Sequence, residues 1–218
     1  LMEDAPRFFN LHRFRYYLHV TALDHFRGEG RNHDLLLIGN CNHKPVVIGI
    51  EAKADESFGQ TVSDTLTACE GRHSSDGVLR VKNLLRGIFA NSEMRRVELE
   101  QLRYQLLTAV AGTLVEARKH DATTAAIIIH VLKSDLTTSE NLERNHRDLA
   151  AFIRSLNSGI TSEVLEGQLY GPFQAVGGEY IPQEVRFWIG KVVYDLTVTT
   201  VSCFSRNWRE PPCELHLW

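Results

Sequence analysis

Asp34-Leu-Leu-Leu-Ile38, Gly39-Asn-Cys-Asn-His-Lys44 and Pro45-Val-Val-Ile-Gly-Ile-Glu-Ala-Lys53 follow one another without a break. Two apolar runs separated by a short Gly- and Asn-containing segment read as two antiparallel strands joined by a tight turn. Side chains on a strand alternate between faces, so Glu51 and Lys53 share one face while Ile50 and Ala52 take the other. If Gly39 and Lys44 pair across the turn, Asp34 falls opposite Gly49, and Glu51 becomes its diagonal neighbour at roughly 7–8 Å. An acid from the first strand and an acid and an amine from the second are thus expected at one end of the hairpin.

The rest of the chain extends this into an α/β pattern. Leu11, Phe14, Leu18, Ala22 and Phe26 recur at helical spacing, which predicts a helix over about 8–27 ending at Gly28 and Gly30. Residues 54–76 are rich in Ser, Thr, Gly and Asp, as expected of a long loop with at most a short helix. Val78, Val81, Leu85 and Ile88 mark a second helix. Ser92 offers the N-cap of the longest helix, with Leu99, Leu102, Leu106, Ala109 and Thr113 on its apolar face and Arg118-Lys119-His120 at its C-terminal end. Thr123–Leu132 is apolar on both faces, as a central strand is. Thr137 and Glu140 form a capping box for a helix through Leu142, Leu149, Ile153 and Leu156 that Gly159 ends. Val185–Val201 predicts a hairpin turning at Gly190-Lys191. The expected architecture is one α/β domain with a mixed sheet flanked by helices. Its core spans about 8–135, and a helix and hairpin extend it over about 136–218.

Composition narrows the class. The 218 residues are 43% hydrophobic and 23% charged, ordinary globular values that exclude collagen-like, wholly disordered and disulfide-scaffold chains. No apolar run approaches a bilayer span, and Cys41, Cys69, Cys203 and Cys213 lack zinc-ligand spacing, so a cytoplasmic protein with reduced thiols is expected. Net charge is −3, yet Arg72–Arg103 holds seven basic residues against four acidic ones. That segment is either a phosphate-facing surface or a solvated helix face whose Arg95, Arg96 and Arg103 pair with neighbouring carboxylates such as Glu98 and Glu100.

Chemistry concentrates at the hairpin end. Two convergent carboxylates repel unless a cation or proton lies between them, and oxygen ligands with open water positions suit Mg²⁺ or Mn²⁺. Such an ion polarises a phosphoryl oxygen and lowers the pKa of bound water, and a neighbouring ammonium orients that water or stabilises developing charge. Asp34, sixteen intervening residues and Glu51-x-Lys53 at the end of an apolar strand, with a predicted helix before and a long helix after, resemble the PD-(D/E)XK nuclease superfamily over about residues 8–132. The phrase Glu51-Ala-Lys-Ala-Asp-Glu-Ser-Phe-Gly59 is similar to the motif of prokaryotic members. The resemblance implies a restriction-endonuclease-like core, with Asp34, Glu51 and the Ala52 carbonyl as metal ligands and Lys53 as the water-positioning group.

Where that superfamily carries its naming proline, this chain has His33. Its RecB-like members carry Gln and Tyr four apart on the following helix; here Gln101 and Tyr104 are three apart, with Gln105 one turn beyond Gln101. Gln101 and Gln105 are expected on one helix face, either within reach of the site, and Gln105 is taken as a site residue. A helix-one Glu, often a metal ligand there, is absent before Glu29. Asp55 and Glu56 are read as solvated loop acids and His130 as a core histidine. The expected function is a Mg²⁺-dependent DNA endonuclease of restriction or defence type, working as a homodimer to cut two strands. The alternative is a catalytically idle module of the same fold that binds nucleic acid or a protein.

Overall fold

A computed structural model describes residues 11–24, 31–41, 43–72, 75–156 and 163–197. Three strands come first: β1 Leu11–Thr21, β2 Arg31–Cys41 and β3 Lys44–Lys53. Four helices follow, α1 Val62–Gly71, α2 Ser75–Ile88, α3 Arg96–Leu99 and α4 Tyr104–Lys119. Then come β4 Thr124–Lys133, α5 Ser139–Leu156, β5 Leu169–Gln174 and β6 Arg186–Asp195. One six-stranded sheet has the order β1-β2-β3-β4-β6-β5. The β1-β2-β3 meander is antiparallel, β3, β4 and β6 are parallel, and β5 returns antiparallel on β6. The molecule is therefore α/β with a mixed sheet and flanking helices, as the sequence predicts. Parallel strands need long crossovers, and α1–α4 supply the one between β3 and β4.

One face of the sheet carries Leu36, Val47, Ala125, Ile127, Ile129, Phe187 and Ile189 into the main core against α4 and α5. Helix α4 is buried on every side from Leu106 to Ala117, where an apolar stripe alone was expected, because it lies between the sheet and the other helices. The opposite face holds a smaller cluster of Cys41, Val46, Ile48 and Ala126.

Four local expectations are corrected. Residues 11–21 form an edge strand instead of a helix: Phe14, Tyr16, Leu18 and Val20 also alternate with Arg13, Arg15, Tyr17 and His19, and aromatic and β-branched residues favour a strand. Two irregularities in the β1–β2 ladder blur that period. Helix α4 starts at Tyr104 instead of near Ser92, because Arg103 is extended (ψ 126°) and pairs with Thr61, while Val62 N–H and Ser63 N–H donate to the carbonyls of Leu102 and Glu100. The longest helix is instead α5, with 18 residues; its start is marked by the Thr138 hydroxyl, which accepts from Asn141 N–H, whereas Thr137 accepts from Ser134 N–H. Gly159 and residues beyond 197 lie outside the described part. Finally, Gly190-Lys191 is no turn: β6 runs straight through it, and Gly190 is small because Leu169 and Ile128 pack where a side chain would stand.

Candidate active site

The β2–β3 register decides which acids meet. Cys41 pairs with Lys44 and Gly39 with Val46, so the turn is tighter than expected, with His43 in the left-handed region at φ 64°. The ladder is offset by two residues from the expected pairing, an even slip that leaves every side chain on its expected face. Its last pair is Leu35 with Ile50, and continuing that register by one step sets Asp34 opposite Glu51 rather than diagonal to it. The Asp34 Oδ2 closes the strand end by accepting from Ala52 N–H at 2.8 Å. Asp34 is exposed.

Glu51 and Lys53 are only 2% and 3% exposed, with Lys53 Nζ 2.8 Å from Glu51 Oε1. Removing two charges from water is costly and is offset only by good pairing with further hydrogen bonds. One such bond comes from α4, where Gln105 Nε2 donates to the same Glu51 oxygen at 2.5 Å. Lys53 Nζ also stands 3.7 Å from Glu56 Oε1 and 5.3 Å from the centre of the fully buried Phe58 ring, a cation–π distance. The amine is thus held by two carboxylates and an aromatic face.

The loop after Lys53 is stapled to α5. Asp55 Oδ1 accepts from Thr138 N–H at 2.7 Å and from its hydroxyl at 2.9 Å; Asn141 Nδ2 donates to the Asp55 carbonyl at 2.5 Å and Asn145 Nδ2 to the Glu56 carbonyl at 2.9 Å. The Thr138 N–H above all, with Asn141, holds the Asp55 carboxyl below its usual range. Burial pushes the Glu56 carboxyl up, but backbone N–H groups of residues 54–56 together with Lys53 outweigh it and leave the group below its usual range. Neither acid is the freely solvated loop carboxylate that its sequence context predicts.

Of the expected site residues, Lys53 and Gln105 both bond Glu51, and Asp34 accepts from the N–H of Ala52, which lies between Glu51 and Lys53 in the chain. Gln101 is exposed in the turn before α4, so it shares no helix face with Gln105. His33 is buried next to Asp34 in sequence but on the other face of β2. His130 is half-buried on the face opposite Ile129 and Val131 instead of in the main core. Five of the seven basic residues in segment 72–103 form ion pairs: Arg80 with Asp24, Arg86 with Glu93, Arg95 with Glu98, Arg96 with Glu100 and Arg103 with Asp148.

Sequence reading missed Glu56 and Phe58 as partners of Lys53, and missed Lys191. Across the parallel strands Glu51, Ile129 and Lys191 form one row on one face, and Lys53, Val131 and Val193 form the next. The available signal was the two apolar stretches of β6 on either side of Gly190-Lys191, readable as a single strand.

Among the described residues no three His, Cys, Asp or Glu side chains converge. Mg²⁺ is commonly held by one or two carboxylates with water and substrate phosphate completing the shell; the two carboxylates at this strand end are Asp34, which is exposed, and Glu51, which is buried and bonded to Lys53 and Gln105. No helix among the described residues is long and apolar enough to cross a membrane.

No curated protein and no solved structure matches the chain. A family model described as a domain of unknown function, DUF6946, matches residues 12–195. Since that match spans the whole sheet from β1 to β6 and every residue of the site, the chain belongs to the DUF6946 family.

Proposed function

We propose that the protein is a divalent-metal-dependent phosphodiester hydrolase, a DNA endonuclease of restriction or defence type built on a restriction-endonuclease-like core. The observation that carries this reading is the register that sets Asp34 opposite Glu51, with Lys53 paired to Glu51 at 2.8 Å on the same sheet face. A bound Mg²⁺ or Mn²⁺ would supply Lewis-acid polarisation of the phosphoryl oxygen and a more acidic water. Asp34, Glu51 and the Ala52 carbonyl are the groups to hold it.

Hydrolysis forms a P–O bond to the water oxygen and breaks the P–O bond to the sugar oxygen, which leaves carrying a proton. Lys53 contributes a fixed positive charge where negative charge develops on the phosphate, and its rigidity comes from Glu51, Glu56 and Phe58. Gln105 is a positioning residue: it fixes the Glu51 carboxylate from the helix side. Purified protein should nick plasmid DNA in Mg²⁺ or Mn²⁺, with Glu51→Gln and Lys53→Ala inactive. Nicking retained in both variants would overturn the proposal.

A catalytically idle module of the same fold is favoured by one observation, the direct Lys53–Glu51 ion pair, which neutralises charge that a cation would otherwise compensate. Thermal unfolding separates the readings, because a ligand that binds only the folded state raises its stability. Stabilisation by Mn²⁺ that disappears in Asp34→Asn supports the hydrolase, and an unmoved transition supports the module.

A further inference from the structure

The Lys53 ammonium stands between two carboxylates that differ in kind. Glu51 is buried, and its Oε1 accepts from both Lys53 Nζ at 2.8 Å and Gln105 Nε2 at 2.5 Å. Glu56 has its side chain 57% exposed, and its Oε1 lies 3.7 Å from the same Nζ, just beyond hydrogen-bond reach. That second carboxylate is aimed by the backbone. Its Oε2 accepts from Ala54 N–H and from Asp55 N–H, each at 3.1 Å, and Asn145 Nδ2 fixes the carbonyl of the same residue at 2.9 Å.

Any cation held by Glu51 meets this arrangement first. An ion on Oε1 would face the ammonium already 2.8 Å from that oxygen, and like charges so close repel. An amine pushed off Glu51 with no other carboxylate to meet it loses the pairing that offsets its burial. Glu56 supplies that pairing within a small swing of the flexible lysine stem. The Phe58 ring, 5.3 Å from Nζ, lines the swing with a face that attracts a cation.

We propose that Glu56 is a positioning residue, the second station of the Lys53 ammonium: it receives the amine when Glu51 is withdrawn, and so releases Glu51 to a divalent cation. The release rests on the hydrolase reading, whereas the second station is tested without metal. Unfolding of the full chain in urea is compared for Glu51→Gln, Glu56→Gln and the two together. Each single change leaves the ammonium one carboxylate, and only the double change strands it. The double variant should raise the unfolding equilibrium constant at least about fivefold above the product of the single effects. Effects that simply multiply overturn the second station. Should the double variant not fold, ¹⁵N-lysine NMR of Glu51→Gln decides: the Lys53 Nζ signal, identified by its absence from Lys53→Met, should shift and stay in slow exchange with solvent, and its disappearance overturns the proposal.

Mn²⁺ titrated alone by calorimetry tests the release. Glu56→Gln should weaken its binding about fivefold or more, whereas in the Lys53→Met chain, whose amine is gone, the same change should move it by less than about twofold. An equal loss in both chains means that Glu56 acts on the ion itself, and no loss in either means that the amine needs no second acceptor; both results overturn the release. Mn²⁺ binding beside a multiplicative urea cycle sinks this inference alone. A non-multiplicative cycle in a wild-type chain that does not bind Mn²⁺ sinks the hydrolase reading and leaves Glu56 as the residue that shares Lys53.

Discussion

Gly49 of β3 lies directly beneath Thr113 of α4, so that a methyl group on Gly49 would occupy the place of the threonine hydroxyl. Thr113, Ala109 and Gln105 stand four residues apart on one side of α4, and the close approach at Gly49 sets the height from which Gln105 reaches Glu51. Gly49→Ala should destabilise the fold by about 1–3 kcal/mol through overpacking. Urea unfolding measures it, and Thr113→Ala in the same chain should recover part of the loss.

The buried ion pair makes a separate forecast. Lys53→Met leaves the Glu51 carboxylate buried with its ammonium partner gone, a loss of about 3–5 kcal/mol. Replacing both partners, as Glu51→Leu with Lys53→Met, should cost less than Lys53→Met alone. A denaturation double-mutant cycle checks this; simple additivity would mean that the pair is not coupled.

How far these residues could be read beforehand depended on the range of the contacts that place them. The β2–β3 hairpin and the β4 strand rest on local alternation, and Glu51 and Lys53 come with them because a two-residue spacing fixes the face whatever the register. Gln105 was accessible from helix spacing. Phe14 and Leu18, in contrast, satisfy both a helical and a strand period, and only pairing with β2 settles the choice. Gly190-Lys191 has turn chemistry locally, while the packing of Leu169 and Ile128 keeps it straight. Lys191 and Asn145 join the site only through strand order and the docking of α5, which no local pattern encodes.

Asp195 provides a pH measurement remote from the hairpin. The Thr197 hydroxyl, then Lys133 and the Thr197 N–H, lower its carboxyl from 3.8 to about 2. Its contribution to stability is therefore complete above 3.8 and lost as pH falls through about 2. Carboxyl NMR should show that low midpoint, and Lys133→Ala should move it back toward 3.8.

His146 has the opposite chemistry but the same direction of effect. Burial, then the positive charge of Lys191, depresses its imidazole below 6.5, so the folded protein holds it neutral while the unfolded chain protonates. Stability from this source is full above 6.5 and declines as pH drops from there toward the depressed value. The His146 ring signals should titrate below 6.5 and move upward in Lys191→Gln.

The clasp between Asp55 and Thr138 joins positions 83 residues apart. Synthesis proceeds from the N-terminus, so a ribosome-bound chain that has released β3 still lacks the helix to which the turn after Lys53 is tied. The moorings of that turn arrive only with Thr138, Asn141 and Asn145, well into the second half of the polypeptide. An unfinished product therefore has Glu51 and Lys53 in hand without the helix that fastens the turn beside them, and that fastening waits on translation past α5.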